Sequence, residues 1–186
     1  MIPESFPWGD ALPYNSAAER LKERFGGRVQ KGSLSGGFTC PNRDGRVGTG
    51  GCTFCNNEAF VPFYTHHADI DVQIEEGIGF LRKRYPRSAQ FVAYFQAYTN
   101  TYGDPDHLRD LYARVLSHPA ISGLVIGTRP DCMDEAMLDF FATLSRTHFV
   151  SIEYGVESIY DDVLAQVNRG HDYAAARGAI RRTARR

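Results

Sequence analysis

No apolar run in the 186 residues approaches the roughly 18 needed for a membrane-spanning helix, so the reading excludes a membrane span. Residues Met1 to Trp8 lack the basic-then-apolar order of a secretory signal, and the expected location is the cytoplasm. Neither sign of charge dominates. A formal net charge of −1 supplies no global pull toward nucleic acid or an anionic surface, so any such contact must come from a local patch. No repeat of about 20 to 50 residues is present, which argues against a solenoid. Against these absences stand 42% apolar and 12% aromatic residues, enough to bury a sizeable core and to exclude disorder.

Cysteine is also scarce. Of the four present, Cys40, Cys52 and Cys55 fall close together and Cys132 stands alone. In a reducing compartment such a set reads as metal-binding or catalytic rather than as disulfides.

The chain alternates helical and extended patterns. Asn15 to Phe25 reads as a helix capped by Asn15 or Ser16 and stopped by Gly26-Gly27. Arg28 to Leu34 reads as a strand. Phe38 to Asn57 carries no periodicity and reads as a long loop, a kind of segment that is usually functional. Beyond it, helices are expected over Ile70 to Tyr85, Pro105 to Ser117, Met133 to Ser145, Ile159 to Val167 and from Tyr173 onward. Strands are expected over Gln90 to Ala97, Gly123 to Gly127 and His148 to Tyr154. This alternation predicts an α/β fold with a parallel sheet and helical crossovers. Ligands in such folds bind at the carboxyl ends of strands. That rule selects the cysteine loop, Gln96 to Tyr102, Thr128 to Asp131 and Gly155 to Ser158.

The cysteines are arranged C-x11-C-x2-C. The close pair Cys52/Cys55 suits two irons of an iron-sulfur cube and Cys40 a third, which leaves one iron without a protein ligand. An open coordination position is the mark of a catalytic metal site. A structural zinc completed by Cys132, His66 or His67 is the alternative, although none of these forms a second close pair. Three other features have ordinary explanations beside functional ones: Tyr94, Tyr98 and Tyr102 as stacking faces, with core packing the alternative for Tyr94, His66-His67 as loop residues, and Arg177, Arg181, Arg182, Arg185 and Arg186 as an RNA-facing patch or a solvated helix end.

The segments RVQKGSLSGGFTCPNRDGRVGTGGCTFCNN, YFQAYTNTYG, GTRPD and EYGVES…NRGHDY resemble the YhcC-type radical S-adenosylmethionine (SAM) proteins, related to the elongator-type tRNA-modifying radical enzymes. The resemblance implies a partial TIM-like barrel of six βα units. It also implies a 4Fe-4S cluster on Cys40, Cys52 and Cys55, and SAM bound at the remaining iron. By position, Phe54 lines the adenine side, and Gln96 and Tyr98 stand where relatives often carry a Gly-Gly-Glu for the methionine amino group. Thr128, Arg129 and Asp131 face the SAM carboxylate or ribose, Glu153 and Glu157 belong to the fourth-strand motif, and Arg169 approaches the carboxylate. Arg129 and Asp131 pairing within a turn, and Glu153 as an ordinary strand carboxylate, are the structural alternatives. No residue is singled out as the catalytic acid, base or hydrogen donor.

The expectation is therefore an enzyme that cleaves SAM reductively, receives electrons from flavodoxin or ferredoxin, and acts on an unidentified substrate, a tRNA nucleoside being the leading candidate. The rival is a non-catalytic zinc or iron-sulfur module or an inactive truncated remnant. Residues 1–35 are read as an N-terminal extension and 36–186 as the core. About four βα units are counted against the six implied, so a C-terminally truncated barrel with an exposed fourth strand is expected.

Overall fold

The computed structural model describes residues 5–9, 11–67, 69–88 and 90–186. Residues 1–4, on which part of the reading about secretory signals rests, lie outside the described residues. The chain forms a mixed α/β fold around a four-stranded, wholly parallel sheet in sequential order β1-β2-β3-β4. The strands are β1 (Val29–Leu34), β2 (Gln90–Phe95), β3 (Ile121–Thr128) and β4 (Phe149–Tyr154). β1 pairs with β2 from Val29↔Gln90 to Leu34↔Phe95. β2 meets β3 with an irregularity between Phe91 and Ala93. β3 meets β4 from Gly123↔Phe149 to Thr128↔Tyr154. Gly127 permits the second of these pairings to stay close, since a Cβ there would stand 3.1 Å from the Phe95 carbonyl.

Helices α1 (Ala17–Phe25), α2 (Ile70–Arg84), α3 (Pro105–Leu116), α4 (Glu135–Leu144), α5 (Asp161–Gln166) and α6 (Tyr173–Thr183) fill the intervals. Short 3-10 turns occupy Asn57–Phe60, Phe63–His66 and Pro130–Cys132. Side-chain caps account for most helix starts. Asp69, Asp104, Asp134 and Asp172 each accept from a backbone N–H of the first turn of α2, α3, α4 and α6. Ser16 caps α1 and Gly26 ends it at φ 67°. α4 begins at Glu135 rather than at Met133 because Pro130–Cys132 coils separately and Asp134 takes the cap.

Alternation along each strand divides the sheet's two faces. Phe91, Ala93 and Phe95 of β2 and Leu124 and Ile126 of β3 pack under Ile74 and Ile78 of α2, Leu108 and Tyr112 of α3, and Met137 and Phe141 of α4. The Tyr112 ring stands edge-on to Phe95 at 5.1 Å, and its hydroxyl donates to the Asn100 carbonyl. The opposite face carries Lys31, Tyr94 and Glu153. Lys31 Nζ lies 2.6 Å from Glu153 Oε1 and 4.5 Å from the Tyr94 ring centre, and the Tyr94 hydroxyl donates to Glu153 Oε2 at 2.7 Å. At the strand starts of that face, Gln90 Nε2 donates to the Phe25 carbonyl of α1, and the Phe25 ring sits edge-on to Phe149. No described helix is long and apolar enough to cross a membrane.

Candidate metal centre

After β1 the chain runs through the cysteine loop with no regular structure except a single bridge between Asp44 and Thr49. Tight turns set the cysteines. Arg43 N–H donates to the Cys40 carbonyl at 2.8 Å, and Cys55 N–H donates to the Cys52 carbonyl at 3.0 Å. Gly51, at φ 82°, turns the chain immediately before Cys52, and a Cβ there would come within 2.9 Å of Arg43 Nε. Two asparagines fasten this loop to the segment that follows α5. Asn42, almost fully buried, donates from Nδ2 to the Asn168 carbonyl and to Cys52 Sγ at 3.6 Å. Asn168 Nδ2 returns a bond to the Gly51 carbonyl at 2.8 Å, and Thr53 N–H reaches the Val167 carbonyl at 3.1 Å.

A cavity of about 470 Å³ opens where the strands end, and Cys40, Cys52 and Cys55 all line it. Its walls come from the ends of all four strands and the segments after them: Phe54 and Asn57 after β1, Gln96, Tyr98 and Thr99 after β2, Thr128 at the end of β3 with Arg129 after it, Gly155 and Glu157 after β4. Asn100 holds two of these ends together, donating from Nδ2 to the Phe95 and Gly127 carbonyls at 3.1 and 2.8 Å. Tyr98, Glu157 and Asn168 are the non-glycine residues with positive φ among the described residues, at 65°, 64° and 53°. Backbone strain collects at functional sites, and here two of the three line the cavity while the third braces the cysteine loop.

Positive charge surrounds the thiols. Arg169, mostly buried, donates from Nη1 to Cys52 Sγ at 3.5 Å and from Nη2 to the Gly155 carbonyl at 2.5 Å, with Glu157 Oε1 3.8 Å away. Arg129, 2% exposed, forks onto Asp131 with Nε and Nη2 at 3.0 and 2.9 Å, and donates from Nη1 to the Arg169 carbonyl at 2.7 Å. Burial works against the Arg129 charge, but Asp131 and the nearby Cys40 outweigh it and hold the guanidinium pKa above its ordinary value. The Cys55 side chain, through a hydrogen bond, likewise raises Arg43. Asn57 donates to Cys55 Sγ at 3.4 Å and accepts from Tyr98 N–H at 3.2 Å. Burial, with Glu153 beside it, pushes the Tyr94 phenol upward, so it stays protonated and donates.

Eight of the nine predicted cofactor residues, Phe54, Gln96, Tyr98, Thr128, Arg129, Glu153, Glu157 and Arg169, line the same cavity as the three cysteines. Asp131 does not line it; its carboxylate is taken by Arg129, the turn pairing given above as the alternative. The Thr128 hydroxyl is engaged by Thr101 at 2.6 Å. Cys132 lines a separate cavity beside Arg46 and Tyr102, and burial followed by the Asp131 charge pushes its thiol up to about 12. Of the histidines offered for zinc, His67 pairs with Glu76 at 3.2 Å and His66 lines another small cavity. Among the C-terminal arginines, Arg182 and Arg186 pair with Glu135 of α4.

Sequence reasoning missed Asn42, Arg43, Asn57 and Asn168. Asn42, Arg43 and Asn57 lie within three residues of a cysteine, and an amide or guanidinium flanking a thiol ligand is the signal that could have found them; Asn168 adjoins Arg169 and carries no such signal.

No group of three or more His, Cys, Asp or Glu side chains converges on a single ion position among the described residues. A cluster asks for something different: thiolates disposed around a cage, with N–H groups directed at their sulfurs. Three thiols share one cavity wall, and donors already point at Cys52 and Cys55. The donor set at this cavity, three thiols with N–H donors on two of them, has the chemistry such a group asks for.

No protein-family profile matches the chain. It is 41% identical over 155 residues to Protein YhcC of Escherichia coli (strain K12), a match spanning 83% of this chain and 49% of that protein. It is 34% identical over 170 residues to Uncharacterized protein YtqA of Bacillus subtilis (strain 168), across 90% of this chain and 52% of that one. Uncharacterized protein MJ0486 of Methanocaldococcus jannaschii is 30% identical over 164 residues, across 87% and 49%. The chain spans about half the length of the curated relatives it matches.

Proposed function

We propose that this chain carries the cofactor-binding part of a cytoplasmic radical SAM enzyme, with Cys40, Cys52 and Cys55 holding a 4Fe-4S cluster. The observation that carries the proposal is the meeting of three cysteines from one loop with the ends of all four parallel strands in a single cavity. The chemistry supplied by the group when bound is one-electron reductive cleavage of SAM to methionine and a 5′-deoxyadenosyl radical, which abstracts hydrogen from substrate. The chain's own work is to bind, orient and shield. Asn42, Asn57 and Arg169 direct N–H groups at the ligand sulfurs, and Arg129 with Arg169 offsets thiolate charge. Phe54 and Tyr98, both exposed at this cavity, offer ring faces for the adenine. Gln96 and Glu157 supply polar contacts for the amino acid and ribose parts, and Arg169 faces the carboxylate.

A partial TIM-like barrel is part of the same proposal. Neighbouring strands lie about 4.8 Å apart, so β1 and β4 of a flat sheet would stand about 14 Å apart, with side chains perpendicular to the sheet. Lys31 of β1 and Glu153 of β4 nonetheless meet at 2.6 Å, as a strongly curled sheet allows. A flavodoxin or ferredoxin as electron donor and a tRNA nucleoside as substrate follow from the resemblance. The test is 5′-deoxyadenosine formation from SAM under dithionite after anaerobic loading with iron and sulfide. Turnover lost in Arg169→Ala, together with weaker SAM binding by calorimetry and an unchanged absorption spectrum, is expected. A loaded chain that binds SAM and yields no 5′-deoxyadenosine would overturn the enzymatic reading.

A further inference from the structure

His171 belongs to none of the groups assigned above, yet it touches the arginine nearest Cys52. Its Nε2 receives Arg169 Nε–H at 2.9 Å, and its Nδ1 stands 3.0 Å from the Asp172 carbonyl. A carbonyl oxygen only accepts, so Nδ1 carries the proton. A guanidinium nitrogen only donates, so Nε2 carries the lone pair. Both contacts therefore select one state of the ring, the neutral Nδ1–H tautomer.

The remaining contacts of Arg169 show what that state does. With Nε on His171, the fork is left to place Nη1 on Cys52 Sγ and Nη2 on the Gly155 carbonyl, while the Arg169 carbonyl is held by Arg129 Nη1. A guanidinium is rigid and planar, so fixing its Nε edge fixes the direction of both Nη groups. Gly155 completes the seat: a Cβ there would press on Arg169 Nη2 at 2.7 Å.

We infer that His171 is a positioning residue that locks the Arg169 guanidinium onto the Cys52 sulfur, and that protonating its ring releases that lock. An imidazolium has no lone pair for Arg169 Nε and would set two cations edge to edge. The charged and titratable groups acting on the ring are Arg169 and Arg129, which oppose protonation, and Asp131, which favours it; the Asp172 carbonyl also favours it. Burial is the largest influence and, with the arginines, keeps the ring below its ordinary pKa of 6.5. The geometry does not depend on the proposed function. Only its consequence rests on that reading: an N–H···S bond to a cluster ligand raises the reduction potential, so loosening it lowers the potential.

Nuclear magnetic resonance of the chain without iron tests the lock directly. The Arg169 Nε–H signal is expected to be protected from solvent exchange in the native chain, lost in His171→Ala, and retained in His171→Gln, whose amide oxygen can accept the same proton. In the native chain it is expected to fade as pH falls through the His171 titration, and in His171→Gln to show no such transition. Unchanged protection of Arg169 Nε–H in His171→Ala would overturn the inference. In the loaded protein, a lower reduction potential in His171→Ala with recovery in His171→Gln extends it to the cluster. If no cluster loads while the resonance results hold, the iron-sulfur reading fails and the role of His171 stands.

Discussion

Cys52 receives N–H donors from Asn42 at 3.6 Å and Arg169 at 3.5 Å, and Cys55 receives one from Asn57 at 3.4 Å. At Cys132, burial and the neighbouring Asp131 carboxylate favour the neutral thiol. His171 gives this scale a measurable pH signature. Its folded pKa lies below 6.5, so the unfolded chain binds more protons as pH falls past that value. Its contribution to stability is fully present above pH 6.5 and is lost as pH falls through the folded value. Urea unfolding across that window should show stability declining toward acid in the native chain and a flatter profile in His171→Gln. Equal pH slopes in the two would remove His171 as a source.

At this scale the cysteines were legible because their spacing is local and chemically distinctive. Cavity residues such as Gln96, Thr128 and Glu157 were legible through the strand-end rule joined to the resemblance. Spacing along the chain does not reveal that Arg129 turns back to occupy the Asp131 carboxylate. His171 escaped notice because its meaning lies in a contact with Arg169 that sequence adjacency does not specify.

Among elements, helix starts are governed by single side chains. Asp104 accepts from Asp106 N–H at 3.1 Å and His107 N–H at 2.9 Å, and Pro105 fills the first helical position of α3, where its missing N–H costs nothing. Asp104→Ala should destabilise the chain by about 1 kcal/mol, read as a lower urea midpoint with an unchanged slope. No shift in midpoint would show that α3 is held by packing of Leu108, Tyr112 and Val115 alone. The same chemistry explains which boundaries could be read in advance. Ser16 and Gly26 bracket α1 within two residues of the expected span. β3 runs longer than Gly123 to Gly127, from Ile121 to Thr128, because pairing with β2 and β4 extends it past its most apolar stretch.

Over the whole molecule, β1 and β4 are the sheet's edges among the described residues, and every residue of β4 is partly exposed. The segment that follows exposes Ile159 and Tyr160 before α5, Val163 within it and Ile180 on α6. An open parallel edge beside exposed apolar side chains favours association. Light scattering of the 186-residue chain should show a mass that rises with concentration, and Tyr160→Lys with Ile180→Lys should reduce it. A concentration-independent monomer would contradict this. The four parallel strands and their helices were readable from the alternation of patterns, whereas the meeting of Lys31 with Glu153 is a property of the assembled sheet.

The most direct measurement of the central claim is iron content and visible absorption after anaerobic loading, made on the native chain beside Cys40→Ala, Cys52→Ala, Cys55→Ala and Cys132→Ala. The account predicts a brown native protein with about four irons per chain. It predicts loss of the cluster in each of the three loop variants and full retention in Cys132→Ala. A colourless native chain holding a single zinc, or a cluster that survives Cys40→Ala and disappears in Cys132→Ala, would contradict it.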